Sequence, residues 1–436
     1  MLGTHPKGLY LLFATEMWER FSYYGMRALL VLYLTTSLLN GGLGFTESDA
    51  SLLYGIFTGM VYFTPMIGGW LADNYIGQRR SITIGAIVMM LGQLCLFYES
   101  SLFFLYLGLT FLVIGNGFFK PNISVLVGNL YEQNDIRRDS AYTIFYMGIN
   151  VGALIAPLLT GWIATVYGYR YGFLVAGIGM FLGLLVYQFL GKRFLGDLCM
   201  LPQKAQLKED GGEKTLTEAE KDRIKVIFVF ALFSVFFFAG FEQAGSSMTL
   251  YTDKYIDRNV AGFEIPTAWF QSVNPLFIVL IAPLLTSVWN MLAARKQEPD
   301  IPIKMAMGMI LLGVGFLFLM GAVWQRGGDV ADEGVKANIL FMIMAYLFHT
   351  LGELCLSPIG LSMVSKLSPV RLASIMMGVW LLSSFFANSI GGYLASFFSK
   401  LGAGSIFTFI AIFSIIMGLV LLCLRKWLLK KSHGVL

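Results

Sequence analysis

The sequence predicts an all-α polytopic membrane protein, with 12 transmembrane helices in two six-helix bundles. Three observations carry this reading. Apolar residues make up 57% of the 436 positions and charged residues only 13%, where a soluble domain has about 25% charged. The apolar residues come in long runs of roughly the 20 residues that a helix needs to cross a bilayer. They do not form the alternating ten-residue segments of a barrel. One long polar stretch, 192–223, divides the runs six and six.

The runs lie at 8–38, 50–72, 81–98, 102–129, 139–166 and 171–191, then at 224–252, 266–294, 303–324, 337–364, 369–399 and 403–424. The expected organisation is an N-terminal bundle over 1–191, a cytoplasmic linker over 192–223 and a C-terminal bundle over 224–436. Such paired halves are the major-facilitator arrangement. Thr217-Glu218-Ala219-Glu220 has the spacing of a capping box that opens the seventh span. Gly55/Gly59 and Gly148/Gly152 have the small-xxx-small spacing of close helix packing. No cleavable signal peptide is expected, because no A-x-A-like site follows the first run. Cys95, Cys199, Cys355 and Cys423 lack metal-ligand spacing, so neither a zinc site nor a disulfide framework is expected.

Orientation follows from the loops. Of the 31 Lys and Arg residues, only Arg170, Lys254, Arg258, Arg326, Lys336 and Lys400 fall on one side. Arg20, Arg27 and Lys120 lie inside spans, and the remainder are on the opposite side. The positive-inside rule makes that side cytoplasmic and places both termini there, in the inner membrane. The net charge of +5 is then topology, and no nucleic-acid partner is implied.

Seven charges remain within apolar spans: Glu16, Glu19, Arg20, Arg27, Lys120, Glu242 and Glu353. Each costs about 2.5–3.5 kcal/mol at a helix centre, so they should face one another or a wet cavity. A single such pair would most simply glue two helices together. Seven favour a central polar cavity. On the first span Glu16, Glu19, Arg20, Tyr23 and Arg27 fall within roughly 100° of arc at 100° per residue. An acid beside a cation is held ionised while burial opposes ionisation. That competition suits a carboxylate which gains and loses a proton. Tyr62, Asn150, Trp380 and Asn388 add polar groups on other spans, and Asn274-Pro275 is expected to break the eighth.

Glu16-x-x-Glu19-Arg20-Phe21-Ser22-Tyr23-Tyr24-Gly25 resembles the first-helix motif of the proton-dependent oligopeptide transporters, a major-facilitator family. The resemblance extends through Gly68-Gly69-Trp70-Leu71-Ala72-Asp73 with Gly77, Arg79 and Arg80, and through Gly117-Phe118-Phe119-Lys120-Pro121-Asn122. It continues in Phe145-Tyr146-Met147-Gly148-Ile149-Asn150-Val151-Gly152 and Phe241-Glu242-Gln243-Ala244-Gly245. It implies a bacterial-type symporter of di- and tripeptides that works by alternating access. Proton coupling would fall to Glu16, Glu19, Arg20 and Glu242. Tyr23, Tyr24, Arg27, Tyr62, Lys120, Asn150, Asn274, Glu353 and Trp380 would contact substrate. Arg27 with Glu242, and Lys120 with Glu353, would gate. Asp73, Arg79 and Arg80 would stabilise the cytoplasmic gate.

Protons are the coupling ion in this reading, with no cofactor, no metal and no enzyme activity, and the unit is expected to be a monomer. The chain departs from many bacterial relatives, because 192–223 has no room for two extra helices. It departs from animal members in having no large domain at 325–336, and Gly55 where they use a helix-2 histidine. His349, one turn before Glu353, reads as an ordinary polar helix residue for which a coupling role stays open. The alternative substrates are another small anion such as nitrate, or a peptide-like drug. The seventh span lacks the histidine that plant nitrate carriers of this family can use.

Overall fold

The computed structural model describes residues 5–98, 101–132, 135, 137–202, 216–329, 334–369 and 372–435. The helices are α1 Lys7–Thr35, α2 Glu47–Leu71, α3 Gln78–Phe97, α4 Leu102–Gly128, α5 Arg138–Tyr167, α6 Tyr169–Leu195 and α7 Glu218–Phe241. They continue with α8 Ser247–Tyr255, α9 Val273–Ala294, α10 Ile301–Gln325, α11 Ile339–Leu367, α12 Ala373–Ser396, α13 Phe398–Leu401 and α14 Ala403–Lys431. Strands occur only as two-residue pairs among the described residues: Ile256–Asp257 beside Ala337–Asn338, and Asn259–Val260 against Phe263–Glu264. Among the described residues, eleven helical segments are long and apolar enough to cross a membrane. With its 29 residues α1 is also long enough, but it carries Glu16, Glu19, Arg20 and Arg27 along its length.

Local chemistry fixes the helix starts. Thr217 Oγ1 accepts from the Glu220 N–H at 3.2 Å while the Glu220 carboxylate accepts from the Thr217 N–H at 2.8 Å, completing the expected box. α10 begins two residues before the expected 303, because Asp300 accepts from the Ile303 N–H at 3.1 Å and Pro302 sits in the first turn, where no N–H is needed. Between α4 and α5, hydrogen bonds from Arg137 hold the Asp135 carboxyl down at about 2.

Two expected spans are composite. The seventh stops being α-helical at Phe241, tightens into a 3₁₀ turn over Glu242–Gly245 and resumes as α8. A Cβ on Gly245 would collide with the Tyr54 hydroxyl, so the turn brings bare backbone against that ring. The eighth opens as a 3₁₀ turn over Thr267–Ser272. Asn274-Pro275 does not break it, contrary to expectation. Pro275 is the third residue of α9, where a missing N–H removes no intrahelical bond. Pro121 likewise leaves α4 continuous.

Two compact units emerge. One comprises Met1–Phe45, Met60–Glu209 and Pro266–Pro275, and within it α1 packs on α5 and α6 while α3 packs on α4. The other comprises Thr46–Gly59, Asp210–Ile265 and Leu276–Leu436, and within it α10 packs on α11 and α14 while α12 packs on α7. α2 is shared between them. The expected small-residue contacts form. Gly152 admits α1 so closely that a Cβ would collide with the Met17 carbonyl, and a Cβ on Gly55 would lie 2.5 Å from the Gly392 Cα.

Candidate functional site

The polar centre of the first unit is built on α1. Glu16, Glu19 and Arg20 are 2%, 0% and 3% exposed, so the cluster is sealed from bulk solvent. Arg20 Nε bonds Glu19 Oε2, Nη2 reaches Glu19 Oε1 at 2.8 Å, and Nε lies 3.2 Å from Glu16 Oε1. Two carboxylates therefore share one guanidinium. Glu16 Oε2 is buried with no hydrogen bond to a described residue. The Arg20 guanidinium also lies 5.3 Å from the centre of the Tyr23 ring. Gly152 brings α5 against this turn, where its missing Cβ would lie 3.1 Å from Arg20 Cβ. Close packing of this kind excludes water and strengthens each electrostatic interaction.

One turn towards the α1 C-terminus the ladder continues. Tyr23 and Tyr24 meet edge to face at 5.4 Å, and the Arg27 guanidinium lies 5.9 Å from the centre of Tyr24. Lys120 Nζ of α4 lies 4.4 Å from the centre of the Tyr62 ring, a cation–π distance. Asn150 on α5 is 6% exposed and donates to the Tyr146 carbonyl at 3.0 Å. Asn274 is half-buried in the first turn of α9. In the second unit Glu242 is buried in the 3₁₀ turn after α7, Glu353 is half-buried on α11, and Trp380 of α12 is buried against Gly360.

Asn116 was not among the expected residues. It is fully buried on α4, with Nδ2 3.4 Å from Glu19 Oε1. Its signal was available: it precedes Lys120 by four residues and so shares its helix face. Gln93 of α3 braces the same part of α1, donating to the Ser22 carbonyl at 3.2 Å and hydroxyl at 3.1 Å. Asp73 accepts from Gln78 Nε2 at 2.7 Å, Arg79 donates to the Gly196 carbonyl, and Arg80 is exposed. His349 is 1% exposed and its ring is tilted against Phe316, with centroids 4.6 Å apart. Among the described residues no group of three or more His, Cys, Asp or Glu could hold a metal ion.

The POT family model matches residues 79–203 and 197–407. The Bacillus subtilis protein called uncharacterized transporter YclF is 35% identical, over 99% of this chain and 96% of its own length. The Yersinia enterocolitica peptide transporter YePEPT is 35% identical over 89% of this chain and 87% of its own. A crystal structure of a mutant of the peptide transporter POT in complex with alafosfalin superposes with a TM-score of 0.91 at 33% identity, covering 98% of this chain and 96% of that one. The chain therefore belongs to the POT family, transporters rather than enzymes, and has their major-facilitator fold.

Proposed function

We propose that this chain carries di- and tripeptides into the cell with protons, across the cytoplasmic membrane, by alternating access between its two six-helix halves around the 192–223 linker. The observation that carries the reading is the buried group in which Glu16 and Glu19 share Arg20 while Glu16 Oε2 bonds no described residue. Two acids against one guanidinium leave an excess negative charge that one proton cancels. Lys120 opposes that charge from farther away. A change in protonation then alters which arrangement of the bundle is favoured, and the carrier shifts between its two states. The names of YePEPT and of the POT structure support peptides as the solute.

A short peptide is a zwitterion. Arg27 and Lys120 are the cations for its carboxylate, and Glu353 is the anion for its ammonium. Tyr23, Tyr24, Tyr62, Asn150, Asn274 and Trp380 supply walls that do not read one particular side chain. Glu242 joins the proton-coupling set, and Arg27, Glu242, Lys120 and Glu353 act as gating charges. Asp73, Arg79 and Arg80 steady the cytoplasmic gate. Both termini are cytoplasmic, and one chain suffices. A membrane potential of 100 mV contributes about 2.3 kcal/mol per proton, enough for roughly a fortyfold gradient.

The test is uptake of a labelled dipeptide into proteoliposomes with an imposed inward proton gradient, with nitrate in a parallel arm. Accumulation of the dipeptide that a protonophore collapses is the expected result. Accumulation of nitrate with no dipeptide uptake would overturn the reading.

A further inference from the structure

The membrane boundary at which α3 begins and α6 ends holds a cavity of about 420 Å³. Arg79, Arg80 and Thr83 line it from the first turns of α3, Tyr187 and Gln188 from the end of α6, and Met200 from the chain beyond. α3 has no capping side chain and no acid in its first turn, and the Arg79 N–H donates to the Cys199 carbonyl at 3.2 Å while its guanidinium donates to the Gly196 carbonyl. Asp73, in the turn before α3, is engaged by Gln78 Nε2 at 2.7 Å. Gln188 Nε2 donates to Thr83 Oγ1 at 2.7 Å, tying the two walls together. Tyr187 is 3% exposed, and its hydroxyl stands beside the Arg79 guanidinium. Arg79 Nε is buried with no hydrogen bond to a described residue. Two guanidinium groups and a buried phenol are donors that phosphate oxygens take.

The surface leading away from the cavity decides between a free anion and a lipid. Ile84, Ile87 and Leu91 are 39%, 39% and 42% exposed, and they follow one another along one side of α3 into the span. We propose that this cavity binds the phosphate of an anionic phospholipid whose acyl chains lie along Ile84, Ile87 and Leu91. The cationic site excludes the choline-bearing headgroup, whose own positive charge meets Arg79 and Arg80. The site is separate from the cluster on α1 and requires no particular transported solute.

The test titrates the detergent-purified protein with phosphatidylglycerol, phosphatidylcholine or inorganic phosphate. Melting temperature and lipid retained in native mass spectrometry are the readouts. Phosphatidylglycerol should be retained and raise the melting temperature, and the other two should do neither at equal concentration. Arg80→Gln and Tyr187→Phe should each weaken retention by roughly tenfold or more, the effect of one lost charge-assisted hydrogen bond. Tyr187→Phe removes one oxygen, and its melting temperature without lipid checks the fold. Equal retention by wild type and both variants, or equal retention of the two lipids, overturns the site. An equal shift with inorganic phosphate alone overturns the lipid as its source.

Discussion

Two charge clusters in this molecule have opposite stoichiometry. Near the start of α7, Asp222 accepts from Lys431 Nζ at 2.9 Å, lies 3.3 Å from Lys225 Nζ and 3.2 Å from His433 Nε2. Within α1, Glu16 and Glu19 divide a single guanidinium. The first has one acid among two lysines and a histidine that reach solvent, since Lys225, Lys431 and His433 are 60%, 34% and 41% exposed at their side chains. It has no use for a proton, and water screens it. The second has more acid than cation in a place that water does not enter. Geometrically both are ion pairs. Only the second leaves a charge that a proton could cancel, and under the proposed function that difference separates a clasp from a coupling device.

The largest expected effect comes from removing the shared cation. Arg20→Gln leaves two carboxylates buried without their partner, a change that costs about 3–5 kcal/mol. It should lower the melting temperature strongly and abolish uptake. A variant as stable as wild type would show that the cluster is not held by charge. Next come Glu16→Gln and Glu19→Gln, which keep shape but remove a proton acceptor. Gradient-driven accumulation should vanish while exchange of labelled for unlabelled dipeptide persists, since a loaded carrier can reorient without releasing a proton. Wild-type accumulation in both single variants would refute the assignment.

Ligand analogues give a smaller effect. N-acetylated or C-amidated dipeptides should compete for uptake roughly 10- to 150-fold more weakly than the free dipeptide, the range for one charge-assisted hydrogen bond. Equal competition by free and doubly blocked forms would point to another solute. The smallest effect belongs to the exposed clasp. Lys431→Gln should leave uptake within about twofold of wild type, because solvent-exposed ion pairs contribute little. Loss of coupling in that variant would erase the distinction between the clusters.

Much of this was legible in the sequence, for identifiable reasons. Hydropathy located the spans because bilayer thickness sets their length. Glu16, Glu19, Arg20 and Arg27 of α1 stood out because charge is costly within a span. The capping box at Thr217 was readable because its two hydrogen bonds are local. The 3₁₀ turn at Glu242–Gly245 was not. Hydropathy records side-chain transfer and is blind to which carbonyl an N–H selects, and the close approach of Tyr54 to Gly245 is a contact far away in sequence. Asn116 was overlooked for a similar reason. An uncharged amide looks like packing until the carboxylate of Glu19 is seen 3.4 Å away.

The meeting of Gly55 with Gly392 bears on how this chain could change. Two main chains touch there with no side chain between them. Animal members of the resembled family place an imidazole at the position that Gly55 occupies. Here any ring at residue 55 would first have to push the α12 backbone aside, and so disturb the packing of α12 on α7. A single substitution therefore cannot turn this carrier into a histidine-dependent one. Such a conversion would need a second change, in α12, to open the space beforehand. Under the proposed function, the packing at Gly55 keeps proton coupling with the carboxylates of α1.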